Sequence, residues 1–151
     1  MTQNEIFMNY AFREAETAFE KDEIPVGCVI VFRNAIIAKA HNLTESLKDP
    51  TAHAEILAIT SASEYLQSKQ LIGCSMYVTL EPCSMCAGAI VLSKIENLFF
   101  GVYDTKSGAC GSVLNITNNK ALNHSCNVLG GIMDDKCAGI LKSFFEVKRE
   151  L

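Results

Sequence analysis

Two short segments, thirty residues apart, constrain this 151-residue chain more than any other part of its sequence. The first contains His53 and, two residues later, Glu55; the second contains Pro82 followed by Cys83 and Cys86. Pro82 disfavours helix at the residue before it and suits a first helical turn, which predicts that a strand ends and a helix begins here. Residues three apart share one face of a helix, so both sulfur atoms can point in the same direction.

The imidazole and the two thiols are a suitable ligand set for zinc, which prefers thiolate and imidazole donors. The positive end of a helix dipole would favour the thiolate forms of Cys83 and Cys86, and thiolates are the forms that bind metal. Three protein ligands leave the fourth position to water, which is typical of a catalytic site. We therefore predict that His53, Cys83 and Cys86 bind one Zn²⁺ ion per chain.

Glu55 is the predicted acid–base residue of this site. Zinc lowers the pKa of a bound water to about 7, and a nearby carboxylate can accept the proton and later deliver it. Residues i and i+2 do not face each other on a regular helix, so His53 and Glu55 share a site only in a first helical turn aimed at the metal. The spacing H-x-E followed by P-C-x-x-C is typical of zinc-dependent nucleobase deaminases.

Two other interpretations stay open from the residues alone. A C-x-x-C pair also occurs in redox proteins, although that function would leave His53 and Glu55 without a role. A structural zinc site in a non-catalytic binding module needs a fourth ligand, for which Cys28, Cys74 or His41 is available.

Length and composition predict one globular domain that spans residues 1–151. Hydrophobic residues make up 49% of the chain and charged residues 20%. We expect no signal peptide and no membrane span, and an odd number of cysteines, seven, favours a reducing cytoplasm over a disulfide framework. With a net charge of −4, any nucleic-acid binding must use a local patch rather than the overall field.

Hydrophobic spacing predicts a three-layer α/β domain with a mixed sheet. The predicted elements are, in order, a helix over 2–20 with a Thr2–Glu5 capping box, strands over 26–32 and 35–40, a helix over 53–68, a strand over 75–80, a helix over 83–93, a strand over 97–102 and a helix from a cap at Asp134 to about Arg149. Arg33 and Asn34 are expected to form the hairpin turn, and residues 103–125 an extended loop.

Beyond the zinc motif, the chain resembles the bacterial tRNA-specific adenosine deaminases of the cytidine-deaminase superfamily over nearly its whole length. The run T-L-E-P-C-x-M-C-A-G, with the later D-x-K-x-G and Asn-His elements, favours the tRNA branch. The matching positions are Pro25–Gly27, His41–Asn42, Pro50–Glu55, Tyr77–Cys83, Cys86–Ala89, Phe100–Gly101, Asp104, Lys106, Gly108, Gly111–Ser112, Asn123–His124, Gly131–Ile132 and Phe144–Phe145.

The resemblance implies a three-layer α/β/α cytidine-deaminase-like fold with a central mixed five-stranded sheet. It also implies a homodimer that converts adenosine to inosine at the wobble position of a tRNA anticodon stem-loop. Asn42 is then expected to hydrogen-bond the flipped base, and the backbone amide of Ala54 to help hold it. Further substrate-binding residues are expected along the path of the anticodon loop, at Asp104, Lys106, Asn123 and Phe145.

The implied reaction is hydrolytic deamination at C6 of adenine, with Glu55 protonating N1 and carrying the proton to the departing ammonia. A base in a single-stranded loop costs less to extract than one in a duplex. We expect one of Phe144 and Phe145 in the core and the other available for stacking. Ser125 and Glu146 stand where relatives are often basic. A deaminase of a free base or nucleoside, of guanine or cytosine type, is the alternative within the superfamily.

Overall fold

The computed structural model describes residues 1–150 as four helices on one five-stranded sheet. The elements are, in order, α1 (Gln3–Glu20), β1 (Gly27–Phe32), β2 (Ala35–His41), α2 (Ala54–Leu66), β3 (Cys74–Leu80), α3 (Ser84–Ser93), β4 (Asn97–Val102), β5 (Asn127–Leu129) and α4 (Asp134–Glu150). The strand order is β2-β1-β3-β4-β5, antiparallel between β2, β1 and β3 and parallel between β3, β4 and β5. The expected mixed sheet is therefore confirmed.

Alternate residues of β1 face two different helical layers. Cys28 and Ile30 pack in one apolar cluster with residues of α2 and α3, whereas Val29 and Val31 pack in a second cluster with residues of α1 and α4. Successive strand residues point to opposite faces, so a strand covered on both sides is apolar at every position. These two clusters give the α/β/α layering that the resemblance implied.

Helix α1 begins at the predicted capping box and packs directly against the start of β1. The Thr2 hydroxyl accepts a hydrogen bond from the Glu5 amide at 3.1 Å, and the Glu5 carboxylate accepts one from the Thr2 amide at 3.1 Å. At Gly27 a Cβ atom would lie 1.9 Å from the backbone oxygen of Ala11. A glycine at the start of β1 is what allows α1 to pack there.

The hairpin turn between β1 and β2 is also as predicted. Arg33 and Asn34 have φ values of +50° and +65°, and Phe32 pairs with Ala35 across them. Positive φ at both central residues defines the type I′ turn that matches the twist of a two-residue hairpin.

Helix boundaries differ from prediction where a residue caps the helix instead of entering it. His53 and Cys83 have extended backbones, with ψ of 153° and 177°, so α2 begins at Ala54 and α3 at Ser84. Asp134 is the first residue of α4 rather than its cap, because Met133 before it has φ +57° and its carbonyl accepts the Cys137 amide at 3.0 Å.

The β3–α3–β4 crossover places the C-terminal ends of both parallel strands at one edge of the sheet. Ligands of open α/β sheets bind outside the carboxyl ends of the strands, so this edge is where a site is expected. The short strand β5 pairs with the opposite, N-terminal half of β4. Within residues 1–150, no helix combines the length and the apolar character that crossing a membrane requires.

Candidate metal centre and cleft

His53, Cys83 and Cys86 meet where the N-terminal ends of α2 and α3 converge. His53 and Cys83 immediately precede their helices, and Cys86 lies in the first turn of α3. Nδ1 of His53 is 3.6 Å from the sulfur of Cys83 and 3.5 Å from that of Cys86. Within residues 1–150, this is the one group of three or more such donors whose ligand atoms all lie within 4.8 Å of one another.

The spacing of these donors fits a zinc ion. Bonds of about 2.3 Å to sulfur and about 2.0 Å to nitrogen at tetrahedral angles place the two ligand atoms about 3.5 Å apart. Cys28, Cys74 and His41 do not join the cluster among residues 1–150. Nδ1 of His41 instead lies 3.0 Å from a carboxylate oxygen of Glu14. The site therefore has three protein donors and not the four that a structural zinc site uses.

Cys83 and Cys86 form a hydrogen-bonded thiolate–thiol pair. Hydrogen bonds from the Cys86 thiol and the His53 ring lower the pKa of Cys83 to about 3. The pKa of Cys86 is raised, because its thiol donates a hydrogen bond to the Cys83 thiolate and because the thiol is buried. The pair thus shares one proton, which a divalent cation would displace.

Glu55 lies in the first turn of α2, two residues after His53, with its side chain 4% exposed. The helix end points at the three donors, which is the arrangement that the H-x-E spacing requires. Burial raises the pKa of Glu55 to about 7, against the opposing influence of its own backbone amide and of His53. A carboxyl group that titrates near neutrality is suited to accept and to deliver a proton.

These groups open into a cleft of about 680 Å³, a volume in the usual range for small-molecule sites. One wall is formed by the loop that follows β2, from Asn42 to His53. The opposite wall is formed by the segment after β4, through Asp104 and Ser107. Ala54 lines the cleft together with its chain neighbours His53 and Glu55.

Asn42 brings an unused hydrogen-bond acceptor to this cleft. The residue is 5% exposed, and its Nδ2 donates to the Thr44 hydroxyl at 3.3 Å. Its Oδ1 has no hydrogen-bond partner among residues 1–150. A buried polar atom without a partner costs about 1–3 kcal/mol, so this oxygen is positioned for a donor on a ligand.

Lys106 and Phe145 are exposed and do not line the cleft itself. Phe144 is 6% exposed and packs edge-on against Phe19, whereas Phe145 is 46% exposed, which confirms the expected division between the paired phenylalanines. The end of α4 approaches one side of the cleft. Nζ of Lys148 lies 2.6 Å from a carboxylate oxygen of Asp22, and Ile24, two residues further along the chain, lines the cleft.

Asn123 is the predicted substrate residue that the fold separates from the cleft. Its neighbour His124 has Nε2 2.6 Å from the carbonyl oxygen of Ile95, just before the start of β4. The cleft lies beyond the opposite ends of β3 and β4. A substrate role for Asn123 stays a prediction, and the geometry of one chain does not explain it.

Two buried carboxylates beside the cleft carry no role from the sequence motif, Glu23 at 0% and Glu81 at 2% exposure. Burial alone would raise the pKa of each, but hydrogen bonds from a serine hydroxyl and from backbone amides outweigh it and hold the pKa below its ordinary value. The signal in the sequence was a carboxylate near an apolar strand: Glu81 directly follows β3, and Glu23 lies between α1 and β1, four residues before β1 begins.

Comparison with known proteins identifies relatives across most of the chain. Residues 1–102 match the family described as the cytidine and deoxycytidylate deaminase zinc-binding region. The tRNA-specific adenosine deaminase of Bacillus subtilis (strain 168) is 45% identical over 150 residues, covering 99% of this chain and 93% of that protein. The tRNA-specific adenosine deaminase of Aquifex aeolicus (strain VF5) is 56% identical over 120 residues, covering 80% of each.

A solved structure agrees with the sequence relatives. It comes from biochemical and structural studies of A-to-I editing by tRNA:A34 deaminases at the wobble position of transfer RNA. The two chains superpose with a TM-score of 0.87 at 42% sequence identity, over 90% of this chain and 99% of that one.

Proposed function

This chain belongs to the tRNA-specific adenosine deaminases, within the cytidine and deoxycytidylate deaminase family, and from that membership we infer that it converts adenosine to inosine at the wobble position of a tRNA anticodon. The reaction is a hydrolysis. The main structural support is that a cluster of three possible metal donors lies beside the buried carboxyl group of Glu55 at one cleft.

We propose that His53, Cys83 and Cys86 hold one zinc ion per chain. Zinc bound there would supply an activated water for attack on the base. Glu55 is the proposed catalytic acid–base residue, which protonates N1 of adenine and then carries a proton to the departing ammonia. Its pKa of about 7 supports this role, because transfer in both directions is easiest for a group that titrates near the working pH.

Asn42 and Ala54 are the proposed contacts to the flipped base. The unpartnered Oδ1 of Asn42 offers an acceptor at the cleft wall, within the part of the chain that the structure describes. The amide of Ala54 belongs to the first turn of α2, whose N–H groups have no partner within the helix. Together they present one acceptor and one donor to a base that enters the cleft.

Asp104, Lys106 and Phe145 are the proposed contacts to the rest of the anticodon loop. Asp104 lines the cleft, and its Oδ1 accepts the amide of Lys106 at 3.0 Å. The exposed ring of Phe145 is available for base stacking. Lys148 is paired with Asp22, so α4 offers less free positive charge to phosphates than its sequence alone indicates.

We also propose a homodimer in which Asn123 contributes to the cleft of the other copy. Within one chain Asn123 lies at the end of the sheet opposite the cleft, so a second molecule is the direct way to bring it to bound RNA. The outer face of α2 and α3 supports an interface, since it has a groove of about 920 Å³ and Leu92 there is 82% exposed.

We propose that the protein acts in the cytoplasm, because its relatives are named for action on tRNA. We propose further that residues 1–151 act as one deaminase domain, because the four helices within residues 1–150 all pack on one sheet.

The substrate is tested by parallel deamination assays on the zinc-loaded protein. One arm holds an anticodon stem-loop with adenosine at the wobble position, and a matched stem-loop holds guanosine there. The other arms hold free adenosine, cytidine, cytosine and guanine. Inosine formed in the adenosine stem-loop alone is the expected result. Deamination of a free base or nucleoside, with no inosine formed in the stem-loop, would instead support the alternative, a deaminase of a free base or nucleoside.

The role of Asn123 is tested by mixing two variants that are each expected to lose activity. Glu55→Ala lacks the catalytic group, and Asn123→Ala lacks the proposed contact from the second copy. If both groups serve one shared site, mixed dimers contain one cleft with neither change, so activity returns to about a quarter of the wild-type value after random exchange. Mixtures that stay as inactive as the separate variants would place Asn123 outside the partner's cleft.

A further inference from the structure

Two loops without regular secondary structure form the opposing walls of the cleft, and each is attached to the fold by one buried carboxylate. We propose that Glu81 and Glu23 are positioning residues that hold these walls, and with them the substrate-facing residues, at the separation that an anticodon loop requires. The proposal rests on the tRNA-deaminase function given above.

Within residues 1–150, the wall that follows β4 has no neighbouring strand to accept its backbone hydrogen bonds, and the carboxylate of Glu81 accepts them instead. Its Oε1 accepts the amide of Asp104 at 3.0 Å, and its Oε2 accepts the amides of Cys110 at 3.0 Å and Ser112 at 3.1 Å. The hydroxyl of Ser112 donates a further hydrogen bond. Buried backbone amides need acceptors, and here one side chain supplies acceptors to three residues of the loop.

Because residue 108 is a glycine, the same loop can pack directly against this carboxylate. A Cβ atom at position 108 would lie 2.4 Å from Cδ of Glu81, 2.5 Å from its Oε1 and 2.5 Å from the backbone oxygen of Asp104. The next amide, of Ala109, donates to the carbonyl of Pro82 at 2.9 Å. A side chain at position 108 would therefore push the wall away from Glu81.

The anchored backbone carries the substrate-facing side chains. Oδ1 of Asp104 accepts the amides of Lys106 at 3.0 Å and Ser107 at 3.1 Å. Glu81 thus fixes the backbone of Asp104, and the side chain of Asp104 fixes the turn that presents Lys106. Glu81 is also only two residues before Cys83, so the wall is held at a fixed distance from a proposed metal ligand.

The wall that follows β2 is attached in the same way, by hydrogen bonds to a buried carboxylate. Glu23 is fully buried, and its Oε1 accepts the amide of Glu45 at 3.0 Å. Its Oε2 accepts the amide of Ser46 at 2.7 Å and also the serine hydroxyl. Apolar side chains would satisfy packing at less desolvation cost, so two buried carboxylates that each bind one of the facing loops indicate that they hold these loops in position.

The test measures wall order and RNA kinetics on the same zinc-loaded protein. In Glu81→Gln, one acceptor oxygen becomes an NH₂ group that faces amide donors. We expect hydrogen exchange at the amides of Asp104, Cys110 and Ser112 to accelerate by about tenfold or more. Zinc content should be unchanged, KM for the stem-loop should rise about tenfold, and kcat should fall by less than about threefold.

Gly108→Ala leaves the carboxylate of Glu81 chemically unchanged but places a Cβ atom against it, so the wall must move away from it. It should reproduce the rise in KM, and the double variant Glu81→Gln/Gly108→Ala should be no worse than the poorer single variant, because both changes break one contact. Glu23→Gln should instead accelerate exchange at Glu45 and Ser46 only, and its effect on KM should add to that of Glu81→Gln. Ile30→Val, a buried β1 change away from the cleft, controls for a general loss of stability and should leave KM as in the wild type.

Faster exchange in Glu81→Gln with an unchanged KM would overturn the positioning role and leave a structural one. Unchanged exchange would overturn the anchoring itself. A wild-type protein that does not deaminate the stem-loop would refute the proposed function instead, while the exchange data would still decide whether the two carboxylates hold the walls.

Discussion

Glu55→Gln removes the ionisable group from the floor of the cleft and preserves its size and the three metal donors. The side chain is 4% exposed, so bulk water has little access to replace the lost carboxylate. General acid–base catalysis by a positioned side chain contributes about 10²–10⁴-fold. Because this group is expected to act twice, at N1 and at the departing ammonia, we expect a loss of kcat near the upper end, about 10³–10⁴-fold.

That loss corresponds to about 4–5.5 kcal/mol of activation free energy. The metal-free variant should be at least as stable as the wild type at pH 8. Burial raises the pKa of Glu55 to about 7, so the folded wild type binds this proton more tightly than the unfolded chain and loses stability as the pH rises towards 7. The amide does not ionise, so the variant escapes that loss.

The assay is single-turnover deamination of the stem-loop, with zinc content and stem-loop affinity measured on the same preparation. Glu16→Gln makes the same chemical change on an exposed face of α1 and is the matched control. Turnover of Glu55→Gln within about threefold of the control would refute the acid–base role. A variant that has lost its zinc would refute the claim that Glu55 acts apart from the metal donors.

Four further predictions concern the metal, the packing, the pH response and the RNA. Cys86→Ala should lose zinc and thermal stability together, and a chelator should lower the melting temperature of the wild type but not that of the variant. Gly27→Ala should lower the free energy of unfolding by about 2 kcal/mol or more, because its Cβ meets helix backbone, whereas Gly139→Ala, with open space around its Cβ, should raise it by about 0.5–1 kcal/mol in urea titrations. The lowered pKa of Glu23 contributes stability above its unfolded value of 4.5 that is lost as pH falls through the folded value, so Glu23→Gln should show a shallower decline in unfolding free energy on acidification below about pH 5. Glu146→Lys should tighten stem-loop binding at low salt and steepen the dependence of log K on log salt by about 1; an unchanged slope would place this position away from RNA phosphates.

Features that depend on near neighbours could be predicted from the sequence. The capping box at Thr2 and the turn at Arg33–Asn34 are decided by residues within four positions of one another. The meeting of His53 with Cys83 was predictable because the chemistry of metal ligands restricts which residue types can share a site.

Features that depend on the path of a loop were not predictable. The hydrogen bonds of Glu81 join residues 23 to 31 positions away, and no periodic pattern marks such partners. Strand β5 has only three residues, too few to show an alternation. The location of Asn123 follows from where residues 103–126 return to the sheet, which hydrophobic spacing does not determine.

The placement of the metal donors at two helix starts has a consequence for the order of assembly. Cys83 and Cys86 are neighbours even in an unfolded chain, whereas His53 is 30 residues away from the first of them. A newly made chain could therefore bind an ion through two thiolates before the sheet has closed, and the imidazole would join only when α2 and α3 dock on the same face. A bound ion would then link the two helices to each other rather than stabilise either alone. Its removal should loosen the α2–α3 layer first and leave α1 and α4 packed on the other side of the sheet.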